Sequence, residues 1–132
     1  MARALGIGGV FFKSPDPKAL GKWYRDVLGV PFEDGCGASF PAGDAPGDSF
    51  SVWSPFKADT DYFAPTSSPF MVNLRVDDLD GALEQVKAAG ATLFGDVECY
   101  DFGRFGWFLD PDGNKVELWQ PIAVASDKSK DS

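Results

Sequence analysis

The chain writes one pattern twice. An alternating run over residues 6–13 meets Asp16-Pro17, and Leu20, Trp23, Tyr24, Val27 and Leu28 then recur at helical spacing until Gly29. Sixty-two positions after Asp16 stands Asp78, preceded by an apolar run over residues 70–76 and followed by Leu79, Ala82, Leu83 and Val86 at helical spacing, closed by Gly90. In both copies an aspartate is placed to accept from the first free N–H groups of a helix, and a glycine supplies the left-handed residue that ends it. Pro17 adds a pre-set φ at the first helical position. Short strand-like runs follow each helix, over residues 30–32, 38–40 and 50–53 in the first copy and 92–97, 102–109 and 115–119 in the second. Even the endings correspond, Trp53-Ser54-Pro55 against Trp119-Gln120-Pro121. A repeat this long is no solenoid unit and suits two β-α-β-β-β modules.

The spacing therefore predicts an α+β fold in which two tandem modules form one curved, eight-strand, cup-like sheet with the helices outside. The first module is expected over residues 5–54 and the second over 70–121, within one domain covering 1–125. Residues 55–69 contain Pro55, Pro65 and Pro69 and are expected to act as a linker; the alternative is that Tyr62 and Phe63 lie over the cup. The all-polar end, 126–132, is expected to be a frayed tail.

Composition removes several classes of function. The chain has 132 residues, 44% of them apolar and 14% aromatic, enough for one buried core. A formal net charge of -8, with no cluster of Lys and Arg, argues against nucleic acid. No run approaches the length of a membrane span, and Met1-Ala2-Arg3-Ala4 opens no signal-peptide core, so a cytoplasmic protein is expected. Cys36 and Cys99 have neither CxxC nor zinc spacing and are expected as free thiols. The absence of histidine removes the commonest general base and the commonest transition-metal ligand together.

Near the C-terminus, Asp110-Pro111-Asp112-Gly113 supplies an acceptor side chain, a fixed φ and a residue free to take φ > 0, which is the chemistry of a tight hairpin turn. The strand after it alternates, with Val116 and Leu118 on one face and Lys115, Glu117 and Trp119 on the other. Phe108-Leu109-Asp110-Pro111-Asp112-Gly113-Asn114 followed by Val116-Glu117-Leu118 resembles the closing hairpin of the vicinal oxygen chelate superfamily, which holds glyoxalase I, bleomycin-resistance proteins and extradiol dioxygenases. The resemblance covers roughly residues 5–121. It implies the paired-module cup, a homodimer, and a metal ligand at Glu117. By the same resemblance the four ligand positions map to Gly9, Ser51, Met71 and Glu117. Glycine offers no side chain, methionine is a soft thioether and serine a poor neutral ligand, so only Glu117 suits a hard or borderline ion. No metal and no other cofactor is therefore expected, unless Asp44, Asp48, Asp59 or Asp61 builds an unforeseen site.

Alternation sorts the remaining side chains. Phe11, Lys13, Met71, Asn73, Arg75, Lys115, Glu117 and Trp119 share the cup face if Val10, Val72, Val116 and Leu118 face the helices, and by the repeat Ser51 and Trp53 join them. The expected ligand-binding set is Phe11, Ser51, Trp53, Asn73, Arg75, Arg104, Trp107 and Trp119, with Arg104 as a clamp for an anionic group and Glu117 as the candidate catalytic carboxylate or a salt-bridged or hydrogen-bonded one. The expected partner is a small molecule held between aromatic walls, as in the bleomycin-resistance branch that the chain resembles. The alternative is a glyoxalase-like lyase, isomerase or dioxygenase in which Glu117 serves as base or metal ligand and Lys13, Arg75 or Arg104 as electrophile.

Overall fold

The computed structural model describes residues 1–35, 37–41 and 50–121. The tail expected over 126–132, Cys36 and the loop acids Asp44 and Asp48 lie outside the described residues. The first module comprises β1 (Ala4–Ser14), α1 (Pro17–Leu28), β2 (Phe32–Glu33), β3 (Gly37–Pro41) and β4 (Phe50–Lys57). The second comprises β5 (Phe70–Val76), α2 (Leu79–Ala88), β6 (Thr92–Leu93), β7 (Glu98–Tyr100), β8 (Gly103–Leu109) and β9 (Lys115–Gln120). They form one open mixed sheet in the order β2-β3-β4-β1-β5-β9-β8-β6, with β7 also on β8.

The halves meet at the centre, where β1 and β5 run antiparallel, and each carries the last strand of its own module as a parallel neighbour, β4 on β1 and β9 on β5. Both modules thus pair within a single chain. Among the described residues there are nine strands where eight are expected, because the run expected over 92–97 is a strand only at 92–93 and the same edge of β8 is taken up again by 98–100. Thr92 lies opposite Leu109 and Glu98 opposite Phe105, and between them Gly95 takes φ 75°. A left-handed residue inside an edge strand breaks the ladder and turns the chain aside.

The helix ends form as their residues dictate. Asp16 Oδ1 accepts from the Ala19 amide at 3.1 Å, and Asp78 Oδ1 accepts from Gly81 at 3.2 Å. Gly29 closes α1 at φ 71° and Gly90 follows α2 at φ 100°. The apolar stripe of α1 is only partly buried, however. Trp23, Val27 and Leu28 are more than half exposed, and the residue fully enclosed is Gly21. A Cβ there would fall 2.3 Å from the ring of Phe32, so α1 approaches β2 at a distance that only glycine permits.

Beneath α2, Val76, Leu79, Ala82, Phe108 and Leu118 form one core, and Phe11, Phe63, Met71 and Trp107 form a second on the opposite face of the sheet. Among the described residues no helix is long and apolar enough to cross a membrane.

Candidate ligand-binding site

The closing hairpin aims the site. Asp110 accepts from the amides of Asp112 and Asn114, both at 2.9 Å, and Gly113 takes φ 84°, so β9 returns against β8 with Trp107 opposite Glu117. Parallel pairing then sets Asn73 of β5 opposite Glu117 on its other side. Three neighbouring strands thus bring an indole, a carboxylate and an amide to one place.

Glu117 is 2% exposed, and both of its oxygens are bonded to protein. Asn73 Nδ2 donates to Oε1 at 2.6 Å, Trp107 Nε1 donates to Oε2 at 2.9 Å, and the hydroxyl of Tyr62 also donates to Oε2. Burial pushes the Glu117 carboxyl above its ordinary range, while these three donors and the nearby charge of Lys115 pull it back. Burial and the adjacent carboxylate hold the Tyr62 phenol well above its usual value. Glu117 is thus held by neutral hydrogen-bond donors, and among the described residues no salt bridge joins it to Lys13, Arg75 or Lys115.

Lys115 is 5% exposed and takes a separate role. Its Nζ donates to the Tyr62 carbonyl at 2.6 Å and lies 4.5 Å from the Phe94 ring centroid and 5.1 Å from that of Tyr62. Desolvation lowers its pKa. The segment 58–69 is therefore more than a tether between modules. Phe63 is completely buried in the second core and Tyr62 stacks on Phe56 at 5.6 Å.

Around this network opens a cavity of about 380 Å³. Of the residues expected at the site, Phe11, Asn73, Trp107, Glu117 and Trp119 line it. Arg75 lies beyond its end, where Nη1 donates to the Ile7 carbonyl at 3.1 Å. Arg104 points to the helix face and makes a two-pronged bond with Asp80 of α2, at 2.8 and 3.2 Å, in place of a ligand clamp.

Ser51 and Trp53 are corrections. On β4 the cavity is lined by Val52, Ser54 and Phe56, while the Trp53 ring packs on Tyr24 of α1 at 4.9 Å and on Phe12 at 5.2 Å. Ser54 partners Phe11 of β1, whereas Glu117 partners Asn73 of β5, so the counterpart of Glu117 is Ser54. Matching Trp53 to Trp119 shifts the frame by three positions, and an odd shift turns every side chain to the other face.

Tyr62, which the sequence offered over the cup as the alternative to a plain linker, comes from between the modules; Tyr100, Phe102 and Phe105, which were not among the expected site residues, come from the β7–β8 hairpin. The available signal was the density of aromatics over residues 100–107. Phe105 stacks parallel to Trp119 at 6.0 Å, and Tyr100 lies on Phe102 at 5.4 Å. A bulge in β1 turns Gly8 toward Asn73, and a Cβ on Gly8 would lie 2.1 Å from Asn73 Oδ1.

The residues at the positions expected for metal ligands do not make a donor set. Gly9 abuts Val52, Ser51 lies on the opposite parity of β4 from the lining residues, Met71 is packed in the second core, and Glu117 already accepts three bonds. Among the described residues no three of His, Cys, Asp and Glu stand together. What the site offers is an apolar, aromatic cup with one hydrogen-bonded carboxylate at its floor.

No curated protein matches the chain in sequence. Among solved structures it is similar to the Mn(II)-bound glyoxalase from Novosphingobium aromaticivorans, at 25% identity and TM-score 0.66 over 93% of the chain, which spans only 41% of that protein. It is also similar in fold to a methylmalonyl-CoA epimerase from Mycobacterium tuberculosis, at 17% identity and TM-score 0.62 over 94% of this chain and 93% of that one. A Streptomyces coelicolor methylmalonyl-CoA epimerase variant in complex with 2-nitronate-propionyl-CoA is similar at 15% identity and TM-score 0.66, over 92% of this chain and all of that one. The glyoxalase-like domain family matches residues 9–119. With that match, the repeated module and the closing hairpin, the chain belongs to the glyoxalase-like domain family of the vicinal oxygen chelate superfamily.

Proposed function

We propose that this protein binds a small, flat organic molecule in the aromatic cup, without the divalent ion that its Mn(II)-bound relative carries. The observation that carries this reading is the state of Glu117. Its two oxygens are engaged by Tyr62, Asn73 and Trp107, and the other three expected ligand positions bring no second donor beside it. A site for a divalent ion needs several hard or borderline donors to displace its water. Elemental mass spectrometry of the purified protein, with tryptophan fluorescence followed as Mn, Ni, Zn and Fe are added, tests it. The expected result is no stoichiometric metal and no response; a stoichiometric metal lost in Glu117→Gln would reject it.

The epimerase-like alternative has one observation in its favour: burial pushes the Glu117 carboxyl upward, toward the range in which a carboxylate moves protons at neutral pH. It also requires an electrophile for an enolate. The three cations suited to that role lie elsewhere, Arg104 on Asp80, Arg75 on the Ile7 carbonyl and Lys13 against the Phe63 ring at 5.9 Å, and the cavity lining contains neither Lys nor Arg. Solvent deuterium entering methylmalonyl-CoA in the presence of the protein would restore the enzymatic reading.

A further inference from the structure

We infer that the cup selects flat aromatic cations that carry an N–H donor, a ligand class opposite in charge to the acyl-CoA held by the epimerase that shares its fold. This rests on the binding reading above and adds to it the charge and polarity of what binds.

The inference follows from counting donors and acceptors. Tyr62, Asn73 and Trp107 each donate to Glu117, so the floor presents their bonds to one another rather than to a ligand. Three donors aimed at two oxygens favour the ionised carboxylate, since each of these bonds is stronger to a charged acceptor. A carboxylate accepts about four hydrogen bonds, and three are made, which leaves one acceptor site on Oε1. Beside it Asn73 Oδ1 is buried without any partner. The remaining polar groups agree. Trp119 Nε1 donates away from the cup to the Phe102 carbonyl at 3.0 Å, and the Tyr100 hydroxyl donates to Glu98. Only Ser54 contributes a lining hydroxyl without such a bond among the described residues, and it sits on the β4 wall. A ligand therefore meets acceptors and a negative charge, with the second N–H of Asn73 and the Ser54 hydroxyl as the remaining side-chain donors and no cation in the lining.

The walls ask for the same chemistry. Phe56 and Tyr62 stack at 12° on one side and Phe105 and Trp119 are parallel on the other. Tyr100 and Phe102, at the rim, are 48% and 55% exposed and become covered when a ring lies against them. Aromatic faces stack flat rings and attract positive charge, and a carboxylate below them adds to the attraction. A carboxylate or phosphate in the same place would face Glu117 with no cation in the cavity lining beside it, which is costly in an apolar site.

Three tricyclic probes of one shape test this by fluorescence titration: 9-aminoacridine as the cation, acridine as the neutral ring and acridine-9-carboxylate as the anion. The cation should bind about tenfold or more tighter than acridine, and the anion should not bind. In Glu117→Gln the advantage of the cation should fall to roughly twofold or less, with acridine affinity retained. Tyr62→Phe keeps the ring and frees an acceptor on Oε2, so it should tighten the cation. Acridine or its carboxylate binding as tightly as the cation overturns the inference while leaving a binding cup. No probe binding at all overturns the cup and the inference with it. If Glu117→Gln does not fold, the three-probe comparison on the unaltered protein and the direction of the Tyr62→Phe effect still decide.

Discussion

The hydroxyl of Tyr62 donates to Glu117 across 55 positions of sequence, tying the segment between the modules to the strand that closes the second. Lys115 holds the same residue from its backbone side, through the Tyr62 carbonyl. A residue between the modules is thus part of the cup floor. Removing that hydroxyl should cost about 1.5–3 kcal/mol, the range for a hydrogen bond to a charged group. Urea unfolding of Tyr62→Phe measures it, and an unchanged midpoint would show that the bond does not stabilise the fold.

Lys115 gives a prediction with a sign. Its pKa is lowered from 10.5 chiefly by burial, against the opposing charges of Glu117, Asp61 and Glu98. Between its folded value and 10.5 the unfolded chain binds more protons than the folded one, so this group makes stability rise with pH in that window. Tyr62, raised by burial and Glu117, acts in the opposite direction only above its ordinary value of 10.0. Lys115→Met keeps the apolar stem and removes the titration. Its stability curve should lack the rise below 10.5, while the cost at neutral pH should be about 1.5–3 kcal/mol, because the Tyr62 carbonyl loses a charged donor.

Gly21 is the tightest point of α1. Alanine there gains about 1 kcal/mol of helix propensity but places a Cβ 2.3 Å from the Phe32 ring. Overpacking of that kind costs typically 1–3 kcal/mol. Thermal unfolding of Gly21→Ala should show net destabilisation, largely relieved in Gly21→Ala combined with Phe32→Leu. A more stable single variant would mean that α1 slides freely on the sheet.

Arg104 and Asp80 make an ion pair with side chains 32% and 69% exposed. Such pairs contribute about 0.2–1 kcal/mol. Arg104→Ala should therefore cost no more than that and leave 9-aminoacridine affinity within roughly twofold, since the side chain lies on the helix face. A large loss of probe binding would return Arg104 to the site.

The repeat and the turn chemistry were enough to read the fold. Asp16, Gly29, Asp78 and the Asp110 to Gly113 turn act locally, and each occupies the position its own backbone chemistry requires. Two faces were legible in β5 and β9 because Asn73, Glu117 and Trp119 alternate with branched apolar residues. β4 was not, since Ser51, Val52, Trp53 and Ser54 carry no clear alternation and the Trp-x-Pro endings of the two modules invite a frame that is off by an odd number. The role of Tyr62 depends on how a chain returns through space, and nothing in its neighbours, Asp61 and Phe63, records the carboxylate it meets.

The counterpart of Glu117 across the cup is Ser54. Had the two modules been identical copies brought together as separate chains, symmetry would have set a carboxylate at both positions, two like charges facing one another in an apolar hollow. Fusing the copies into one polypeptide lifts that obligation. One half is left to shape the wall while the other keeps a single acid, so the molecule reaches an asymmetric interior from a symmetric plan.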